Sequence, residues 1–219
     1  MSTARPAGPR FRTDPAALDV VSTAIGCATW PDLAAAAQTC VACPELASTR
    51  TTVVVGDAPA GARLVLVGEA PGAEVDRTGR PFVGKAGQLL DRVLAEAGLD
   101  RDSVAVVNVL QCRPPGNRTP TTTEAVRCRG WLDRKLALIE PALVVTLGLS
   151  AAVAFLDRGI RLGAVRGTVH EVDGRRVLPT YHPSAAIRFG PNGAPLAALR
   201  EDLKTAAALL ASNSHTTQH

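Results

Sequence analysis

Three short runs of consecutive apolar residues constrain this chain more than anything else in it. They are 63–68 (RLVLVG), 103–109 (SVAVVNV) and 142–148 (ALVVTLG). A strand with one wet face alternates apolar and polar side chains, whereas a strand that is apolar throughout must be covered on both faces. Around these runs the apolar spacing becomes helical, at 84–97, 122–139, 150–156 and 194–210. The stretch PTTTE at 120–124 supplies a hydroxyl N-cap and a first-turn carboxylate for the second of those helices. A fourth run, 176–181 (RVLPTY), is weaker, because Pro179 cannot donate to a ladder and marks a strand end. Strands that alternate with helices build parallel βα units, so the expected fold class is α/β, with helices on both faces of one sheet.

A length of 219 residues suits one domain. We place it at 14–211, between a flexible arm at 1–13 and a polar, frayed tail at 212–219 (SNSHTTQH). The longest uncharged stretch, 141–156, has 16 residues and is broken by Gly148 and Ser150. A membrane span needs about 20 apolar residues. The start, MSTARPAGPRFR, has no apolar core of the kind a signal peptide carries, so the expected location is the cytoplasm, with no membrane association. In a reducing compartment the five cysteines, Cys27, Cys40, Cys43, Cys112 and Cys128, suggest metal binding rather than a disulfide framework.

Ligands of open α/β sheets bind beyond the carboxyl ends of the strands. Here those places are 69–82, 111–118 and 182–188, together with Asn108, and the unusual residues cluster there. Cys40 and Cys43 form a CxxC pair whose turn can aim both sulfurs at one point. Cys112 follows the second strand and Cys128 lies beyond it in a helix, while Cys27 reads as a small buried hydrophobe. Uneven spacing fits a [4Fe–4S] cluster better than a zinc ribbon, but spacing alone leaves the metal open. The stretch from Gly79 to Lys85 nearly spells a phosphate-cradling loop, yet Ala86 stands where a hydroxyl would bind magnesium, so that reading is rejected. Glu69 at a buried strand end needs either a salt-bridge partner or a task. Phe82, one of four phenylalanines, is either a core plug or a platform for a flat ligand.

Taken together, the strings GEAPG at 68–72, DRTGRPFVGKAGQLL at 76–90, NVLQCRPPGNRTPT at 108–121 and HPS at 182–184 resemble the iron–sulfur (family 4) uracil-DNA glycosylases. The four cysteines match in order, and the likeness runs from about Cys40 to about Arg188. The resemblance implies a single three-layer sandwich with a central four-stranded parallel sheet and a [4Fe–4S] cluster on Cys40, Cys43, Cys112 and Cys128. It also implies excision of uracil from single- or double-stranded DNA by a monomeric enzyme that flips the base out. On that template Phe82 stacks on the uracil and Asn108 reads its edge. His182 donates to O2 as charge gathers on the leaving base, Glu69 assists beneath the sugar, and backbone around Ala70 helps hold base or water. The segment 185–188 becomes the wedge, with Ile187 or Arg188 as its tip. Relatives often carry a Glu-Asp pair where this chain has Val75 and Asp76, so either Glu69 or Asp76 must suffice or activity is reduced. No histidine lies in 113–127, which disfavours covalent capture of the abasic sugar.

Twenty-one of the 24 basic residues are arginines, the better residue for forked phosphate contacts. From Arg77 to Lys135, eleven basic residues face six acids, giving a local +5 against +4 for the chain. Arg113, Arg118, Arg127 and Arg129 flank the last two cluster cysteines, and Arg118 is the expected phosphate contact. The expected activity is a monofunctional glycosylase that leaves an abasic site. The alternative is a catalytically weak, metal-stabilised nucleic-acid-binding module of the same fold.

Overall fold

The computed structural model describes residues 14–212, so the arm at 1–13 and all of the tail except Ser212 lie outside the described residues. Ser212 itself ends the last helix. Helices α1 (Pro15–Gly26), α2 (Trp30–Gln38) and α3 (Pro44–Thr49) precede the first strand, β1 (Leu64–Gly68). Then come α4 (Ala73–Thr78), α5 (Lys85–Glu96), β2 (Ala105–Asn108), α6 (Thr122–Ile139), β3 (Leu143–Leu147), α7 (Leu149–Val153) and α8 (Leu162–Val165). The chain closes with β4 (His170–Val172), β5 (Arg175–Thr180), α9 (Pro183–Phe189) and α10 (Ala194–Ser212).

The sheet has five strands in the order β2-β1-β3-β5-β4, not the four expected. Four are parallel, as expected of neighbouring βα units, with Val65 beside Ala105 and Val145 beside Leu178. The addition is β4, which pairs antiparallel with β5 at the edge. Its cause is local: Asp173 and Gly174 both take positive φ (49° and 75°), the backbone that a two-residue hairpin turn requires. Only three residues long and partly exposed, β4 carries no apolar run to betray it. Pro179 sits next to last in β5, as its missing N–H demands.

Every residue of β1, β2 and β3 is buried. Leu64, Leu66, Val106, Val145 and Leu178 face one side, where Leu90, Leu94, Leu199 and Leu203 of α5 and α10 cover them. Val65, Val67, Val107, Val144 and Val177 face the other, under Leu132 and Leu136 of α6 and Ala151 of α7. That is the three-layer sandwich. A third apolar cluster lies beside it, where α1, α2 and α3 pack on Trp131 of α6. Asp14 and Thr29 cap α1 and α2, each with a proline in the first turn, and Thr29 with Asp32 forms a capping box. No helix among the described residues is long and apolar enough to cross a membrane.

Candidate active site and cysteine cavity

At the carboxyl end of β1, Gly68 is the floor on which the site is assembled. A Cβ placed there would lie 2.7 Å from Cζ of Phe82 and closer still to Oδ1 of Asn108. The bare backbone therefore lets the aromatic ring and the amide approach together. Phe82 holds φ at +55°, an unusual conformation for a bulky residue and a form of stored strain. Its carbonyl passes over Gly87 at a point where any side chain would collide. The ring of Phe82 lies 5.8 Å from that of His182, tilted by 35°. Gly148, after β3, lets the backbone turn past the Cβ of His182. The ends of β1, β2 and β5 thus bring together Phe82, Asn108 and His182, which are far apart in sequence.

His182 is the N-cap of α9, and its Nδ1 accepts the Ser184 backbone N–H at 3.1 Å and faces Ser184 Oγ at 2.7 Å. An accepting Nδ1 places the ring proton on Nε2, which is then free to donate. Burial pushes the imidazole down to about 4, so it is neutral near pH 7. Asn108 is buried, and its side chain makes no hydrogen bond among the described residues, leaving the amide for a ligand. Glu69, half-buried, likewise has no ion pair among them, which removes the salt-bridge alternative. It opens onto a groove shared with Val109, Thr122, Arg129 and Leu149, whereas Phe82 borders a second groove with Arg80 and Gln88. Ala70 turns away, against the apolar cluster of the cysteine side.

Asp76 is committed elsewhere. Its buried carboxylate accepts the backbone N–H of Thr51 at 3.0 Å and of Thr52 at 3.4 Å, while Val75 packs inward. Glu69 is therefore the carboxylate left at the strand end. Arg118 does not reach outward as expected: it clasps Glu124 through two bonds (2.7 and 2.9 Å) and Glu45 through a third (2.9 Å). Arg127 pairs with Asp14, Arg129 with Asp133 and Arg113 with Asn117. The guanidiniums around the cysteines thus tie the molecule to itself. Ile187 and Arg188 are exposed on α9, and so is Phe189 beside them, at 65% the more exposed of its two large apolar side chains and one the sequence reading passed over.

Cys40, Cys43, Cys112 and Cys128 line one small cavity of about 20 Å³, walled by Leu46, Val53 and Leu110. No three of them, or of other possible ligands among the described residues, converge closely enough to grip a single metal ion. Burial pushes Cys43 and Cys128 up to about 12 and raises Cys112 as well. Cations gather around them nonetheless. Arg50 donates to Cys112 Sγ at 3.3 Å, and Lys135 is wholly buried, its Nζ without a hydrogen-bond partner. Burial lowers Lys135 to about 8, and the charges opposing that fall are Cys128 and Cys112. An orphaned ammonium on the same helix as Cys128, felt by Cys128 and Cys112, fits a sulfur-ligated group of net negative charge.

A family model described as the uracil DNA glycosylase superfamily matches residues 55–204. The chain belongs to that superfamily. It is 45% identical to a type-4 uracil-DNA glycosylase of Thermotoga maritima over 155 residues, covering 70% of this chain and 80% of that protein. A type-4 enzyme of Archaeoglobus fulgidus is 40% identical over 164 residues (71% and 82%). A type-5 uracil-DNA glycosylase of Mycobacterium leprae is 30% identical over 206 residues (75% and 89%). The resemblance read from the GEAPG, PFVGKAG, NVLQC and HPS strings is therefore borne out. Within the superfamily, the Phe82, Asn108 and His182 constellation lies inside the matched segment, as do Cys112 and Cys128, while Cys40 and Cys43 lie before it.

Proposed function

We propose that this chain is a uracil-DNA glycosylase of DNA repair that hydrolyses the bond between uracil and deoxyribose in single- or double-stranded DNA and leaves an abasic site. The observation that carries the proposal is the convergence of Phe82, Asn108 and a neutral, Nε2-protonated His182 over Gly68. Uracil flipped out of the stack lies against the Phe82 ring. Asn108 donates to O4 and accepts from N3–H, and cytosine presents the reverse pattern, leaving buried polar groups unpaired. As the glycosidic bond lengthens, negative charge collects on uracil O2 and positive charge on the sugar. His182 Nε2–H donates to the first, and the unpaired carboxylate of Glu69 counters the second or orients the attacking water. A neutral donor at O2 needs no proton of its own to be moved.

Of the three lysines, Lys85 is exposed at the start of α5, Lys135 is buried on α6 and Lys204 is exposed on α10, so a lysine-based lyase step has no group in place. The four cysteines, which line one cavity, would hold a [4Fe–4S] cluster. When bound, the cluster supplies a rigid cross-link between the α2–α3 turn, the end of β2 and α6. Ile187, Arg188 and Phe189 form the wedge that fills the gap left by the flipped base. The chain acts as a monomer in the cytoplasm. Incubation with a uracil-containing oligonucleotide followed by alkali tests the activity. Strand cleavage that disappears in N108A and H182A is expected, and no cleavage by protein carrying its full iron content would leave the weak DNA-binding module as the better reading.

A further inference from the structure

We propose that Lys135 is the buried counter-ion of the anionic group held by Cys40, Cys43, Cys112 and Cys128, and that its ammonium sets how readily that group accepts an electron. The proposal rests on the iron–sulfur reading above. Lys135 lies two turns beyond Cys128 on α6, which puts both on one face of the helix. It is one of the largest side chains in the protein with no exposed surface, and its neighbours along the helix, Leu132 and Leu136, are apolar. An ammonium without a partner is among the most costly groups to bury, and leucine or methionine would fill the same space without that cost. No carboxylate pairs with it among the described residues: its Nζ has no hydrogen-bond partner there, and the groups that favour its charge are Cys128 and Cys112.

The two cations that line the cavity itself are differently placed. Arg50 donates to Cys112, and Arg127 is paired with Asp14 and the Ala42 carbonyl. Among the described residues Lys135 is the one lysine or arginine that is fully buried. Four thiolates outweigh the positive charge of a four-iron, four-sulfide core, so the bound group is an anion. Reduction adds one electron and makes it more negative. A fixed positive charge in a low-dielectric interior favours the reduced form, and removing that charge makes the electron harder to add.

The test uses holoprotein of the wild type, K135M, K135Q and K135R, titrated with a mediated reductant and followed by visible absorbance and low-temperature electron paramagnetic resonance. K135M and K135Q are expected to accept the electron with a roughly tenfold smaller equilibrium constant, ~59 mV more negative for a one-electron couple. K135R, which keeps the charge, is expected to stay within about threefold of wild type. Equal potentials in wild type and K135M, or a K135R shift as large as that of K135M, would overturn the proposal. Where K135M does not fold, the comparison of K135Q with K135R decides in the same way. Wild-type protein isolated without iron and labile sulfide sinks the cluster reading and the counter-ion with it, whereas iron-loaded protein with unshifted variants sinks the counter-ion alone.

Discussion

Gly68→Ala probes the site through its floor, without replacing any side chain assigned to chemistry. The strand backbone at Gly68 accepts alanine, since φ is not positive there. The new Cβ would sit 2.7 and 2.9 Å from two ring carbons of Phe82 and nearer still to the Asn108 amide oxygen. Carbon atoms rest comfortably at about 3.5–4.0 Å, so the ring must retreat by roughly 1 Å. A displacement of that size in a positioning group costs about 100-fold in rate. Overpacking costs about 1–3 kcal/mol of stability, and each kcal/mol lowers Tm by about 2–4 °C at this chain length. The assay is single-turnover excision from a uracil oligonucleotide with enzyme in excess, beside a thermal melt. Gly26→Ala, at a position with open space around it, is the control. The expected result is a folded protein, melting less than ~12 °C below wild type, whose excision is about 100-fold slower. A Gly68→Ala rate within about threefold of wild type would refute the reasoning, because Phe82 and Asn108 would then not need the placement described.

Other expectations follow from the same geometry. In DNA-binding measurements across salt concentrations, Arg118→Ala is expected to keep the wild-type slope, because its guanidinium already holds Glu45 and Glu124, whereas Arg188→Ala should flatten it by about 0.9. Glu124→Ala removes both the capping box of α6 and the clasp on Arg118, and should cost about 1–3 kcal/mol in urea denaturation. The pKa of His182 is about 4 when folded, below its ordinary 6.5, so the unfolded chain binds the extra proton between those values. Stability from this group is therefore full above pH 6.5 and is lost as pH falls toward 4, a loss that His182→Ala should reduce in denaturation curves at pH 7 and pH 4.5. Asp76→Ala frees the backbone N–H groups of Thr51 and Thr52 next to Arg50, and should speed iron loss in air relative to wild type.

Much of this was legible in the chain. The all-apolar strands fixed the parallel sheet, since no other covering satisfies them, and the PTTTE cap placed the start of α6 at Thr122. The hairpin that adds β4 was signalled only by Asp173-Gly174, because its strand is too short and too wet to show a pattern. The first three helices are built largely from alanine and other small residues, so their apolar faces are faint, although Asp14-Pro15 and the Thr29 to Asp32 box were there to be read. Phe82, Asn108 and His182 could be named from motif strings, but their meeting depends on two glycines whose missing side chains leave room. Arg118 shows the limit most plainly. Sequence supplies its charge, but only the fold brings Glu45, 73 residues away, within 2.9 Å.

His182 fastens the first turn of α9 through one ring nitrogen and, in the function proposed above, offers the other to the base. Reading and wedging are in this way hung on a single hinge pin. On that proposal, any base that displaces the imidazole also unlatches the helix that carries Ile187, Arg188 and Phe189. Such a base would be rejected twice by one movement, once at the reading group and once because the proposed wedge comes loose.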